Sequence, residues 1–316
     1  MKYRNSITSI IPVFISLACL YVFYSEVDSF NNFFIEIKNA DYLYILIATF
    51  LLLVTVFLRS LRWNILLKYS SGTFTLFKVQ MIGYFANNVL PFRAGELLKS
   101  FLIGRKEDIS KSYVLGTIII ERFLDMLMLL VFTIVYILIS PISMIGDIPI
   151  YYLLIIILTT IATFFLLLII IAKVFVRIKL AQDFISKLTR TYRELTFSQF
   201  LYVNFYGILI WLIYWFNVEL IFRAFNIPLE AHHSLVVLIV ASIINSIPSL
   251  PGSIGTFHLG VGTTIVALDF MGNSSVESFT TVLHLYGYIS LTALGVYYFI
   301  IDKTVGIGEI VKFKKR

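Results

Sequence analysis

The chain has 316 residues, 59% of them hydrophobic and only 14% charged, with a net charge of +7 and a mean hydropathy of +0.92. Soluble domains carry roughly 45–50% apolar and about 25% charged residues, so this composition excludes a soluble domain large enough to carry a function of its own. A single cysteine, Cys19, excludes a disulfide or a thiolate metal cluster within the chain.

Apolar runs in chain order give candidate spans at 7–24, 42–58, 113–139, 151–172, 198–221 and 280–301. Each is long enough to cross a hydrocarbon core of about 30 Å. Runs such as YYLLIIILTTIATFFLLLIIIA (151–172) do not alternate, so they are helices and not barrel strands. The first run has a basic flank, as a signal peptide would. It continues through Leu20, Tyr21, Val22 and Phe23 with no small-x-small cleavage site, so it is expected to be a retained span.

Two further apolar segments, 74–104 and 234–271, are interrupted near their middles by NNVLPFRAGE (87–96) and NSIPSLPGSIG (245–255). The positive-inside rule decides how they run. Of 25 basic residues, all but Lys38, Arg223 and the intramembrane Arg122 fall in five groups: the N-terminus, 59–78, 93–111, 173–193 and the C-terminal tail. These groups share one face only if 74–104 enters and leaves on the cytoplasmic side and 234–271 on the opposite side. Both segments are therefore expected to be re-entrant helical hairpins.

The expected fold is an all-α polytopic membrane protein, a single domain over 1–316. It has about six transmembrane helices plus two opposed hairpins, with both termini cytoplasmic. The halves 42–139 and 198–301 repeat one pattern, span–hairpin–span, with opposite orientation. Inverted repeats with broken helices near the midplane are the usual architecture of alternating-access transporters.

Polar residues at membrane depth mark the candidate site. At the first break Pro91 removes a backbone donor, Gly95 permits a sharp turn, and Glu96 suits the start of a second short helix. Arg93 offers a five-donor fork for a phosphate or carboxylate. It could instead pair with Glu96 and hold the hairpin shut. Asn87 and Asn88 flank this turn.

In 113–139, the run ERFLD places Glu121 and Asp125 on one helical face, with Arg122 three residues before Asp125. Two acids against one Arg leave a carboxylate for a cation, a proton or Arg93. A shallow structural ion-pair network remains the alternative. At the second break stand Asn245, Pro251, Gly252, Gly255 and His258, a set that either aims half-helix dipoles into a central site or only packs hairpin against hairpin. His232, His233 and His284 show no metal-ligand spacing, so no metal and no cofactor are expected. Trp63, Trp211 and Trp215 read as interfacial anchors and core.

The pairing of NNVLPFRAGELLK (87–99) with ERFLD (121–125), and later PSLPGSIGTFH (248–258), resembles the transmembrane region of lysylphosphatidylglycerol synthase and the stand-alone flippase-like proteins that share it. The resemblance covers roughly 40–301. The family usually carries Pro-Gly-Gly-x-Gly-x-x-Glu at the second hairpin, whereas Ser253 follows Gly252 here and His258 stands at the position of the acid.

The resemblance implies movement of a modified lipid between leaflets of the plasma membrane. With no soluble aminoacyl-transferase domain after the basic tail, the chain is expected not to be an enzyme. The rival expectations are a membrane-embedded glycosyltransferase-type enzyme acting on polyprenyl-phosphate lipids, and a non-catalytic partner of a lipid-modifying enzyme. Basic loops on one face imply anionic phospholipids as partners, not nucleic acid, and an oligomer is compatible with the sequence.

Overall fold

A computed structural model describes residues 4–27, 29–90, 94–140, 194–227, 230–246, 251–268 and 273–301. The candidate span 151–172 lies outside these residues, as do Pro91 and Arg93. Among the described residues there are ten α-helices and no strand. In chain order they are α1 (Arg4–Ser25), α2 (Phe30–Asn39), α3 (Tyr42–Leu66), α4 (Thr73–Val89) and α5 (Gly95–Lys106). They continue as α6 (Lys111–Ile139), α7 (Phe197–Ala224), α8 (Ala231–Ser246), α9 (Thr256–Ala267) and α10 (Asn273–Ile301).

Four helices, α3, α6, α7 and α10, are long and apolar enough to cross a membrane. Local chemistry starts two of them. Asp41 caps α3 by accepting the Leu43 N–H at 2.9 Å. Thr196 and Gln199 form a reciprocal capping box at α7. The outer face of α7 exposes Leu201, Phe205, Ile208, Leu212 and Phe216 at helical spacing, a surface suited to lipid.

The predicted breaks are real helix ends. Leu90, before Pro91, is extended (φ −94°, ψ 142°), the conformation that a following proline enforces. Helices α4 and α5 have 17 and 12 residues, and α8 and α9 have 16 and 12, so each is shorter than a full span. Each pair folds back antiparallel. Gly83 and Gln80 of α4 face Lys99 of α5, and Ile244 of α8 fits over Gly260 of α9.

Two apolar cores result. One, around Trp63, Leu66, Ile82, Leu102 and Ile118, belongs to α3–α6. The other, around Phe222, Leu235, Val261 and Phe279, is built mainly from α7–α10. The halves interlock because α3 packs on α7, α10 on α4, and α6 on α8. In lipid, close packing and small residues replace the hydrophobic effect as the glue between helices. Gly295 accordingly sits against the Met81 carbonyl and Phe85, where a Cβ would collide.

Two departures from the sequence reading matter. Residues 30–39, outside every candidate span, form the short helix α2, capped by Ser29 and docked on α10 through buried Phe33 and an Oγ–Oε2 bond of 2.6 Å from Ser278 to Glu36. The second span does not stop at 58 but continues to Leu66. Arg59 and Arg62, assigned to a basic loop, are therefore buried inside the helix bundle. The helix continues because nothing between Arg59 and Leu66 breaks it and both guanidinium groups find carboxylates.

Candidate functional site

The antiparallel packing of α3 on α6 fixes the centre of the site. Arg59 and Arg62 are one turn apart on α3, and Glu121 and Asp125 are one turn apart on α6, so the two pairs meet in register. Arg59 Nη1 donates to Asp125 Oδ2 at 2.8 Å and lies 3.6 Å from Glu121 Oε1. Arg62 Nη2 donates to Glu121 Oε1 at 3.0 Å and to Asp125 Oδ1 at 2.8 Å. Arg59 Nε also donates to the Tyr214 hydroxyl of α7 at 3.0 Å. The Arg62 and Glu121 side chains are wholly buried.

The unpaired carboxylate expected from ERFLD is thus answered twice over from α3. Arg122, the expected partner of Asp125, is a looser one: its Nη1 is 3.5 Å from Asp125 Oδ2 and its Nη2 is 3.7 Å from Glu121 Oε2. Its side chain is 41% exposed, eleven residues past Lys111 on a 29-residue helix. At 1.5 Å per residue Arg122 lies about 16 Å along α6.

Helix α5 extends the network. Glu96 Oε2 meets Lys99 Nζ at 2.6 Å, one turn on, and Lys99 Nζ donates to Gln80 Oε1 at 3.2 Å while lying 5.5 Å from the Trp63 ring centroid. Trp63 in turn donates to Thr117 Oγ1 of α6 at 2.9 Å. Glu96 thus pairs with Lys99; whether Arg93 shares it lies outside the described residues.

Charge bookkeeping gives the cluster a sign. Among the described residues Arg59, Arg62, Lys99 and Arg122 are four cations, and Glu96, Glu121 and Asp125 are three anions, which leaves one positive charge in excess there. Buried donors remain without a hydrogen-bond partner among the described residues: Nε and Nη1 of Arg62, and Nε and Nη2 of Arg122. Buried guanidinium N–H groups are costly to leave unpaired and suit an acceptor-only anion. Leu97, next to Glu96 on α5, and Ile119, one turn before Arg122 on α6, are exposed apolar side chains.

The asparagines of the first break work as braces. Asn87 Oδ1 accepts the Gly95 N–H at 2.8 Å and so caps α5 from across the break. A Cβ on Gly95 would collide with the Gly83 carbonyl and with Asn87, so only glycine allows this approach. Asn88 Nδ2 donates to Thr292 Oγ1 of α10 at 2.8 Å.

At the second break, Pro251–Ser253 is a single 3₁₀ turn with Gly252 at φ +67° and Ser253 at φ +57°, followed by Gly255 at φ +88°. His284 Nε2 donates to the Gly252 carbonyl at 2.8 Å, and His258 Nδ1 accepts the Gly255 N–H at 3.4 Å. Asn245 sits half-buried at the end of α8. The turn packs directly against α4, and Tyr288 of α10 lies between the breaks: its ring abuts Gly252 and its hydroxyl donates to the Asn88 carbonyl at 3.4 Å.

The residues singled out from sequence therefore gather in two neighbouring places. Glu96, Glu121, Arg122 and Asp125 form the charge cluster, while Gly252, Gly255 and His258 form a neutral tip joined to Asn88 through Tyr288. Sequence reasoning missed Arg59, Arg62, Lys99 and Gln80. A signal was available: Arg59 and Arg62 at i, i+3 directly extend an apolar helical run and match the acid spacing of ERFLD. Among the described residues no group of three His, Cys, Asp or Glu could hold a metal ion.

The family profile described as "Lysylphosphatidylglycerol synthase TM region" matches residues 9–295, which covers both halves and both sites. The chain belongs to this family. Two UPF0104 membrane proteins of Methanothermobacter thermautotrophicus are similar to it. One is 26% identical over 339 aligned positions, covering 94% of this chain and 95% of the relative; the other is 23% identical over 278, covering 81% and 82%. A UPF0104 membrane protein of Methanocaldococcus jannaschii is 29% identical over 100 residues, 30% of each chain. No solved structure matches. The family match agrees with the multi-pass helical architecture and with the resemblance carried by residues 87–99 and 121–125.

Proposed function

We propose that this protein is a lipid flippase or flippase-like transporter, not an enzyme, and that it moves a phospholipid or modified lipid between leaflets. The observation that carries the reading is the charge cluster itself. A bundle that only anchored something else would gain nothing from seven charged groups gathered among apolar helices, where each is expensive. An excess cation with guanidinium donors left over, in a bundle that also exposes apolar side chains, is chemistry for a phosphate whose acyl chains stay in lipid. Arg122 would meet the phosphate, Arg93 would join from the break, and Glu96, Glu121 and Asp125 would hold the cations in place.

The repeated pattern supports movement over static binding. Helices α3, α4/α5 and α6 correspond to α7, α8/α9 and α10. The contacts exchange accordingly, α4 with α10 and α8 with α6. That is what an inverted repeat produces, and two hairpins meeting at Tyr288 are what rocking one half on the other would rearrange. The bias of basic residues toward one set of loops supports cytoplasmic termini, and the plasma membrane is the location proposed here.

The test is leaflet redistribution of fluorescent phospholipids of several headgroup classes in proteoliposomes. Wild type should move at least one anionic or modified class faster than protein-free liposomes, and Arg122→Ala and Arg93→Ala should abolish the difference. Equal, slow movement of every class by wild type and variants would refute the proposal. Metal-dependent sugar transfer by the purified protein would establish the transferase reading in its place.

A further inference from the structure

The second tip holds a feature that lipid movement does not use: two buried imidazoles in contact. The ring centroids of His258 and His284 are 4.8 Å apart, and their residues are 4% and 8% exposed. Each is tied to the same strained turn, but with opposite hydrogen-bond polarity. The Gly252 carbonyl can only accept, so His284 must carry its proton on Nε2. The Gly255 N–H can only donate, so His258 Nδ1 must present a lone pair.

His258 occupies the third position of α9, where a capping-box Glu or Gln would reach back to the first free N–H of the helix. Unlike those residues, a histidine holds that bond only while its Nδ1 is unprotonated. His284 Nδ1 is a further buried lone pair with no partner among the described residues.

The geometry points to this histidine pair as a proton-binding site that controls the second hairpin tip. A proton from the aqueous phase adds to the Nδ1 lone pair of His258, forming an imidazolium N–H. The Gly255 N–H then loses its acceptor, and α9 loses its cap. The bond from His284 to Gly252 survives, because Nε2 donates in either protonation state. One anchor of the turn opens while the other holds, so the turn swings about Gly252.

Ser253, a non-glycine residue, sits at positive φ between Gly252 and Gly255, a conformation that its surroundings must hold. Beside Gly255, the Ser16 carbonyl of α1 leaves no room for a side chain, so displacement of Gly255 would be transmitted to α1.

A hydroxyl pair leads toward the surface. Tyr24, next to the last residue of α1 and half-buried, exchanges a 3.0 Å hydrogen bond with Thr281 of α10, and its ring centroid is 6.1 Å from that of His258. The titratable groups facing the pair are Tyr24 from α1 and Tyr288 from α10, with Glu277 two turns before His284 and Glu36 of α2 beyond it through Ser278.

The test is independent of any lipid substrate. A spin label at Ser246→Cys, in a Cys19→Ser background in nanodiscs, reports mobility beside the turn from about pH 8 down to about pH 3, a range that spans the ordinary histidine value near 6.5 and reaches well below it. Wild type should show a reversible, one-proton rise in mobility on acidification. His258→Gln should keep the low mobility at every pH, because its amide oxygen caps Gly255 without titrating. His284→Gln should retain the step with a displaced midpoint. A flat wild-type profile, a step that survives in His258→Gln, or a step lost in His284→Gln would each overturn the assignment.

Discussion

Arg62 Nη2 and Asp125 Oδ1 meet at 2.8 Å, joining a guanidinium that is fully buried to a carboxylate that Arg59 holds from its other side. Asp125 is therefore the keystone between α3 and α6. Its two oxygens are divided between two arginines one turn apart.

Asp125→Ala should be strongly destabilising, since it strands two buried cations at once. Removing one partner of a buried pair costs about 3–5 kcal/mol. Thermal unfolding in detergent should show a large fall in midpoint, and Arg59→Met should relieve part of it. A double-mutant cycle in which the two losses simply add would refute the coupling.

The fold was legible where the argument used physics that lipid enforces. Basic residues and long apolar runs gave the helices, and Pro91, Gly95, Pro251 and Gly252 gave the breaks. The site was only half legible. Glu121, Arg122 and Asp125 were conspicuous as charges inside an apolar run, but Arg59 and Arg62 stood at its end, where charge is cheap and a loop is the natural reading. Only the partner helix shows them to be buried. Lys99 was hidden in the same way, among basic residues beyond a break. Helix α2 escaped because a ten-residue amphipathic segment between spans looks like a loop until Ser29 and Phe33 are seen at work.

Gly95→Ala should lower stability by about 1–3 kcal/mol, the usual cost of overpacking. The added methyl would strike the Gly83 carbonyl and push Asn87 off the N–H it caps. Gly72→Ala is the matched control: its nearest neighbour would be Thr75 Oγ1 at 3.9 Å. Equal unfolding midpoints for the two variants would show that the first hairpin does not depend on this close approach.

The contact between α10 and α4 makes a similar comparison within one helix. Gly295→Ala would drive a methyl into the Met81 carbonyl and Phe85 and force α10 away from the first hairpin. Gly287→Ala would only touch Leu52 Cδ2 at 3.5 Å. The first variant should lose thermal stability and the second should not. Proteolysis in detergent should show the same order.

Arg122 separates function from folding, because it contributes little to holding the helices together. Its ion pairs are long, its side chain is 41% exposed, and Arg59 and Arg62 remain to neutralise Glu121 and Asp125. Arg122→Gln should therefore leave the unfolding midpoint nearly unchanged. If the half-open guanidinium meets a lipid phosphate, the same substitution removes a charged hydrogen bond worth about 1.5–3 kcal/mol, or roughly a 10- to 150-fold loss of affinity. Arg122→Lys would keep the charge without the fork and should fall between. Native lipids retained on purified wild type and on the two variants, measured by mass spectrometry, give the comparison directly. Arg122→Gln retaining as much anionic lipid as wild type, with both proteins folded, would remove Arg122 from the site.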